Sequence, residues 1–263
     1  MEKRKINIAG TQFFLNQLFI IDLLYMEFLN SWDNAVRSAS YSKLEFPNTY
    51  YLAYRDLPTI ISKHVLGNTA VDFGCGTGRS TRFLKKLGFD TIGIDISKEM
   101  LHIARELDTT GNYYFVEDGN YEHLGKNFDL ILCVFTFDNI PGKQNRGNIL
   151  KGLKKLLKSG GTLICIDANS EMYTKEWASF STFEFPENQK ATSGDKVKIV
   201  MTDVEDQRPV EDILWTISDY YEMFIQAGCR LVQTYSPLGY TDEPYNWISE
   251  KCTAPWIIYV VQN

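Results

Sequence analysis

The sequence predicts an α/β protein, a mostly parallel, doubly wound sheet covered on both faces by helices. From residue 69 onward, short apolar runs alternate with amphipathic stretches of helical period. The first of those runs ends in a glycine-rich turn that leads straight into a helix. At 263 residues and 44% apolar content, the chain is long enough for one or two domains with a real core.

The elements follow in order. Met-Glu-Lys-Arg-Lys before an apolar stretch imitates a secretion leader, but Asn16, Gln17 and Asp22 interrupt that stretch. Phe14, Leu15, Leu18, Ile21 and Leu24 recur at helical spacing, so an amphipathic helix is expected there. No run approaches the roughly 20 apolar residues of a membrane span. Residues 69–74 form the first strand; Phe83, Leu84 and Leu87 then mark a helix closed by Gly88. Residues 91–95 form the second strand, and Ser97 is a good N-cap for a helix carrying Met100, Leu101, Ala104 and Leu107. The third strand is expected at 113–118 and the fourth, the most continuously apolar, at 128–135. Ile149, Leu150, Leu153, Leu156 and Leu157 define a helix ended by Ser159-Gly160-Gly161. A fifth strand at 162–167, a helix at 218–228 and two closing strands at 230–235 and 256–261 complete the pattern.

One stretch breaks the alternation. Residues 168–217 are far longer than the usual strand-to-helix loop of about 2–6 residues, and 196–204 has a period of two. Its scattered aromatics favour a folded insert. The expected organisation is an N-terminal helical lid at 1–59, a core at 60–167 and 218–263, and a substrate-lid insert at 168–217.

Charge and cysteine usage exclude several classes. The 33 acids outweigh 27 bases, and a net charge of −6 disfavours nucleic acid or an anionic membrane as the main partner. Cys75, Cys133, Cys165, Cys229 and Cys252 form no C-x-x-C pair, and no His/Asp/Glu spacing suggests a metal, so none is expected. A reducing, cytoplasmic setting is expected.

The turn itself reads Val71-Asp72-Phe73-Gly74-Cys75-Gly76-Thr77-Gly78-Arg79. The dinucleotide fingerprint G-x-G-x-x-G fails on spacing, because Arg79 or Thr81 stands where its last glycine would fall. The phosphate-cradling loop fails for want of Gly-Lys-Ser/Thr. What remains, Asp72-x-Gly74-x-Gly76-x-Gly78, resembles motif I of class I S-adenosylmethionine-dependent methyltransferases. The resemblance continues through Asp95, Asp118-Gly119, the run 128–135 and Leu157-Lys158-Ser159-Gly160-Gly161-Thr162, where Ser159 replaces the family's proline.

That resemblance implies a Rossmann-like seven-stranded sheet with an antiparallel last strand, S-adenosyl-L-methionine as cofactor and S-adenosyl-L-homocysteine as product. It implies that the backbone at Gly74, Cys75, Gly76 and Gly78 approaches the cofactor, and that Asp95 holds its ribose hydroxyls. Asp118 would meet the adenine, with Ile96, Met100, Gly119, Asn120 and Phe135 also contributing to the site. Asp72 would act on the methionine amino group, in part by ordering the loop. Tyr51 and Arg55, one helical turn apart, are expected to face the cofactor carboxylate. Asp95 as a partner of the next helix's dipole, and Asp118 as a plain turn residue, are the simpler readings.

For the acceptor, the family chemistry is direct displacement at the methyl carbon. The three histidines, His64, His102 and His123, fall poorly for a catalytic base. Asp138 and Asp167, after the fourth and fifth strands, are the catalytic candidates for orienting or deprotonating the acceptor; the simpler readings are a turn before Pro141 and a strand-end cap. Tyr41, Asn139, Trp177, Phe180 and Trp215 are expected to wall the acceptor pocket, since aromatics suit a planar or cationic molecule. The expected function is methylation of a small organic molecule, with nitrogen favoured because no base is evident. A small-molecule O-methyltransferase, a peptide-modifying methyltransferase and a non-catalytic cofactor-binding regulator are the alternatives, with monomer or homodimer both open.

Overall fold

The computed structural model describes residue 32 and residues 34–263, apart from 118, 120 and 126. The helix expected around residues 14–24, and the candidates Asp118 and Asn120, therefore lie outside the described residues.

Ten strands follow in chain order: β1 Thr69–Phe73, β2 Asp90–Asp95, β3 Asn112–Phe115, β4 Phe128–Val134, β5 Leu157–Ala168, β6 Phe180–Ser181, β7 Lys196–Met201, β8 Val210–Ile213, β9 Arg230–Tyr235 and β10 Trp256–Gln262. Seven of them form one sheet in the order β3-β2-β1-β4-β5-β10-β9. Strands β1 to β5 pair in parallel, and β10 runs antiparallel to both neighbours. The third strand stops at Phe115, three residues short of the expected end.

Strand β4 is buried from Asp129 onward because both faces of the sheet are covered, which a run as apolar as Leu-Ile-Leu-Cys-Val requires. The covering helices are α1 Ala35–Tyr41, α2 Thr49–Tyr54, α3 Leu57–His64, α4 Arg79–Lys86, α5 Lys98–Leu107, α6 Lys143–Lys154 and α7 Ile217–Gln226. Ser97 caps α5 by accepting from the Met100 amide (3.2 Å). Thr216 and Asp219 cap α7 reciprocally.

Alternation along the strands divides the core in two. Ala70, Leu130, Leu132 and Ile164 face one side with Tyr50, Trp177, Phe180 and Trp256. Val71, Phe73, Ile131 and Cys133 face the other with Phe137, Trp215 and Tyr220. The stretch 168–217 is folded: β6, β7 and β8 make a small antiparallel sheet. Among the described residues no helix is long and apolar enough to cross a membrane.

The strand order reverses between β1 and β4. Ligands in such sheets gather there, beyond the carboxyl ends of the strands.

Candidate active site

The turn after β1 is tied from beneath by Asp72. Its Oδ2 accepts from Ser80 Oγ (2.7 Å) and Thr81 Oγ1 (2.6 Å) on α4. Its Oδ1 is buried without a hydrogen-bond partner, and burial pushes the carboxyl up to about 6. Above it, the glycines do different work. A side chain at Gly78 (φ 82°) would lie 2.6 Å from the Tyr113 hydroxyl, so that glycine serves packing. At Gly76 (φ 52°) the nearest atoms to an added Cβ are Tyr41 at 3.8 Å and Met100 Sδ at 4.0 Å. That leaves room at Gly76 for one Cβ at ordinary van der Waals contact, a space that the backbone conformation there rarely lets an L-residue fill.

Asp95, at the end of β2, stands across that space. Its Oδ2 accepts from the Gly76 amide and its Oδ1 from the Ser97 amide, each at 2.8 Å. Ile96 beside it is exposed, while Cys75 and Met100 are buried. Gly119 has no atom within 4 Å of an added Cβ. Thus Asp72, Gly74, Cys75, Gly76, Gly78, Asp95, Ile96, Met100 and Tyr41 meet around the carboxyl ends of β1 and β2.

Tyr51 and Arg55 do not join them. Tyr51 packs against Tyr245 (4.9 Å), and the Arg55 guanidinium is held by Asp56, Glu243 and the Leu238 carbonyl over the Tyr240 ring. The helical face turned to the glycine loop is shifted by one residue, to Tyr50 and Tyr54. Both stack on Arg79, the residue after Gly78, which also faces Tyr41 and Phe135. Arg79 Nη1 donates to the Glu45 carbonyl (2.9 Å), fastening the segment before α2 over the loop. Arg55→Met should leave cofactor affinity within about twofold in a calorimetric titration, because the donors it loses serve Asp56, Glu243 and the Leu238 carbonyl. A tenfold weakening would return Arg55 to the cofactor.

Beyond β4, Phe135 sits in the left-handed region (φ 57°), a strain of about 1–2 kcal/mol for a non-glycine residue. Neighbours on both sides impose it: the Phe135 amide donates to the Ile166 carbonyl (2.8 Å) and its carbonyl accepts from Asn139 Nδ2 (3.2 Å). Asn139 Oδ1 accepts in turn from the Trp32 indole (3.0 Å). Trp32 packs edge-on against Tyr41, and its carbonyl accepts from Ser97 Oγ (3.4 Å). Trp32 thereby spans the ends of β2 and β4.

Asp138 and Asp167 are placed differently from the expectation that they face an acceptor. Both are sealed in protein, at 5% and 0% exposure. Asp138 accepts from the Tyr220 hydroxyl (2.8 Å) and the Ala168 amide (2.9 Å). Asp167 accepts from the Phe137 amide (3.1 Å) and the Cys165 thiol (2.7 Å). The two carboxylates thus cross-brace the loops after β4 and β5. Burial raises Asp138 to about 6, and burial plus the Asp138 charge pushes Asp167 well up. The charge of buried Arg146 offsets both; its guanidinium lies over the rings of Trp215 (4.3 Å) and Tyr220 (4.5 Å), with Nε and Nη2 unpartnered.

The expected pocket wall also divides. Phe180 joins Tyr50 and Trp256, with Phe135 stacked on Trp256 at 4.3 Å. Trp177 is core, its indole N–H donated to the Met172 carbonyl. Trp215 lies on the opposite face of the sheet, with Arg146. His64 is bonded to Tyr235 near the other end of the strands, and His102 pairs with Glu106 on the exposed side of α5. Among the described residues no group of three or more His, Cys, Asp or Glu could hold a metal ion.

Sequence reasoning missed Trp32, Tyr50, Tyr54, Arg79 and Trp256. Only Arg79 carried a signal, its position directly after the third glycine.

Residues 71–165 match a protein family described as a methyltransferase domain. An uncharacterized methyltransferase of Alkaliphilus oremlandii is 27% identical over 157 residues, spanning 58% of this chain and 70% of that protein. A ubiquinone biosynthesis O-methyltransferase of Aliivibrio fischeri is 28% identical over 102 residues, 37% of this chain and 42% of that protein, so less than half of that relative's length is spanned. A solved S-adenosylmethionine-dependent methyltransferase from Clostridium acetobutylicum shares the fold, with a TM-score of 0.56 at 17% identity over 91% of this chain and 98% of that one. With the glycine turn, the acid after β2 and the strand order all in place, residues 71–165 are similar to a methyltransferase domain, and the chain shares its fold with solved S-adenosylmethionine-dependent methyltransferases.

Proposed function

We propose that this chain methylates a small organic molecule, bound against the aromatic wall of Tyr50, Phe135, Phe180 and Trp256. The observation that carries the reading is the Asp95 carboxylate at the end of β2, held against the Gly76 amide of the glycine turn. The residues present suit S-adenosylmethionine: carboxylates for its hydroxyls, a close backbone, and the unpartnered Asp72 Oδ1 beneath the loop. When bound, the cofactor supplies an electrophilic methyl group on a sulfonium. The protein's part is to hold the acceptor in line with it, an orientation effect worth up to about 7–11 kcal/mol.

In this reading Asp95 and the backbone at Gly74–Gly78 bind cofactor, with Ile96, Met100 and Gly119 beside them. Arg79 fixes the segment that roofs the loop. Asp138 and Asp167 hold the loops after β4 and β5 in shape rather than meeting the acceptor. An oxygen acceptor gains support from similarity to the Aliivibrio fischeri ubiquinone biosynthesis O-methyltransferase, whereas nitrogen has only the lack of an evident base in its favour. The five free cysteines, three of them buried, suit a reducing cytoplasm.

Incubation of metabolite extracts with isotope-labelled S-adenosylmethionine tests the reading. One small molecule should gain a labelled methyl group by mass spectrometry, and none should without the protein. Binding of cofactor with no labelled product in any extract would favour the regulatory alternative.

A further inference from the structure

We propose that Asp212, carried by the insert on β8, takes the proton of the acceptor, and that this acceptor bears a phenolic hydroxyl. The proposal rests on the methyl-transfer reading above. Strand β8 pairs with β7 so that Asp212 lies opposite Val197, which is buried, while Glu211 lies opposite Lys198. Asp212 therefore points inward, and Glu211 points out to its ion pair with Lys196 (2.6 Å).

Three acids come together beyond the ends of β4 and β5, and they differ in what they can still accept. All four oxygens of Asp138 and Asp167 accept from protein donors and both residues are sealed. Asp212 is only half-buried. Its Oδ2 accepts from the Tyr173 hydroxyl (3.2 Å), and its Oδ1 has no partner among the described residues. Tyr173, five residues beyond the end of β5, is itself buried and so fixes the direction of the carboxylate. The charge of Asp212 also acts on Tyr50, whose ring lies 4.8 Å from Arg79 and 5.9 Å from Phe135. Val197, opposite Asp212, packs in the same core as Tyr50, Phe180 and Trp256, so Asp212 lies on the side of the sheet that carries the aromatic wall.

The chemistry matches a phenol. Burial raises the Asp212 carboxyl to about 8; the charges of Asp138 and Glu211 add to this and the Tyr173 hydroxyl opposes it. A base poised near neutrality suits a phenolic proton better than that of an aliphatic alcohol. The aromatic wall accepts a flat ring. As Asp212 Oδ1 takes the proton, the acceptor's O–H pair is freed to bond the methyl carbon. The C–S pair returns to sulfur, leaving a neutral thioether, and the proton leaves Asp212 for solvent. Tyr173 acts as a positioning residue.

The test uses the full chain with carbon-13 in its aspartate carboxyls, saturated with S-adenosylhomocysteine. One carboxyl resonance should titrate near pH 8. It should vanish in Asp212→Asn and move to higher pH in Tyr173→Phe, because the lost hydrogen bond favoured the charged form. Catechol, added as probe, should shift that resonance. With labelled S-adenosylmethionine, catechol methylation should rise through the same pH and fall by about a hundredfold or more in Asp212→Asn, with cofactor affinity by calorimetry unchanged. No carboxyl titrating above pH 7, a resonance indifferent to catechol, or wild-type methylation by Asp212→Asn overturns the assignment. A wild-type chain that binds no S-adenosylmethionine sinks the methyl-transfer reading instead.

Discussion

Asp95→Ala should weaken S-adenosylmethionine binding by at least a hundredfold, about 2.7 kcal/mol, while the chain stays folded. Asp95 works twice. Its carboxylate now accepts from the Gly76 and Ser97 amides (2.8 Å each), which sets the spacing between the glycine turn and the start of α5. It is also the acid proposed to accept from the ribose hydroxyls of the cofactor. Hydrogen bonds to a charged group contribute about 1.5–3 kcal/mol each, so losing two with the cofactor gives the stated effect. Isothermal titration measures the affinity, and circular dichroism checks the fold. A folded Asp95→Ala variant with near-native affinity would remove Asp95 from the site.

Asp138→Ala should be among the most destabilising single changes in the sheet. It strands the Tyr220 hydroxyl and the Ala168 amide inside protein. Each buried polar group left without a partner costs about 1–3 kcal/mol. For a chain of this size each kcal/mol lowers Tm by about 2–4 °C, so the two stranded groups together lower it by about 4–24 °C. A change within about 2 °C would deny the bracing role.

The same carboxyl predicts an unusual pH dependence. Folding raises Asp138 from 3.8 to about 6 through burial. Between those values the folded chain holds a proton that the unfolded chain has released. Stability is therefore full below the unfolded value and falls as pH rises through the folded one, by up to about 1.4 kcal/mol per pH unit. Asp72, also raised to about 6 by burial, acts in the same direction over the same window. Asp138→Asn keeps an acceptor but cannot titrate, so it should flatten the fall in Tm between pH 4 and 6. An unaltered slope would assign the dependence elsewhere.

Much of the fold was legible along the chain. The strands around the glycine turn, the Ser97 cap and the closing pair at 230–235 and 256–261 lie where periodicity placed them, because turn chemistry and side-chain alternation are local. The site was legible only in part. Helix α2 has six residues, too few for its apolar pattern to phase the face, so Tyr51 and Arg55 were expected where Tyr50 and Tyr54 stand. Trp177, Phe180 and Trp215 share one stretch of sequence but not one pocket, since Trp215 crosses to the other face of the sheet. Asp138 and Asp167 sit at strand ends, yet burial depends on Tyr220 and Arg146, which no spacing connects to them.

By itself the sequence determined the α/β class, the glycine turn and its kind of ligand, because backbone turns and an acid after a strand are written within a few consecutive residues. Which side chains stay open to a ligand was decided only in three dimensions. Asp212 meets Tyr173 across 39 residues and Trp32 meets Asn139 across 107. Access to solvent depends on every neighbour that packs around a group, and those neighbours are assembled only when the chain folds.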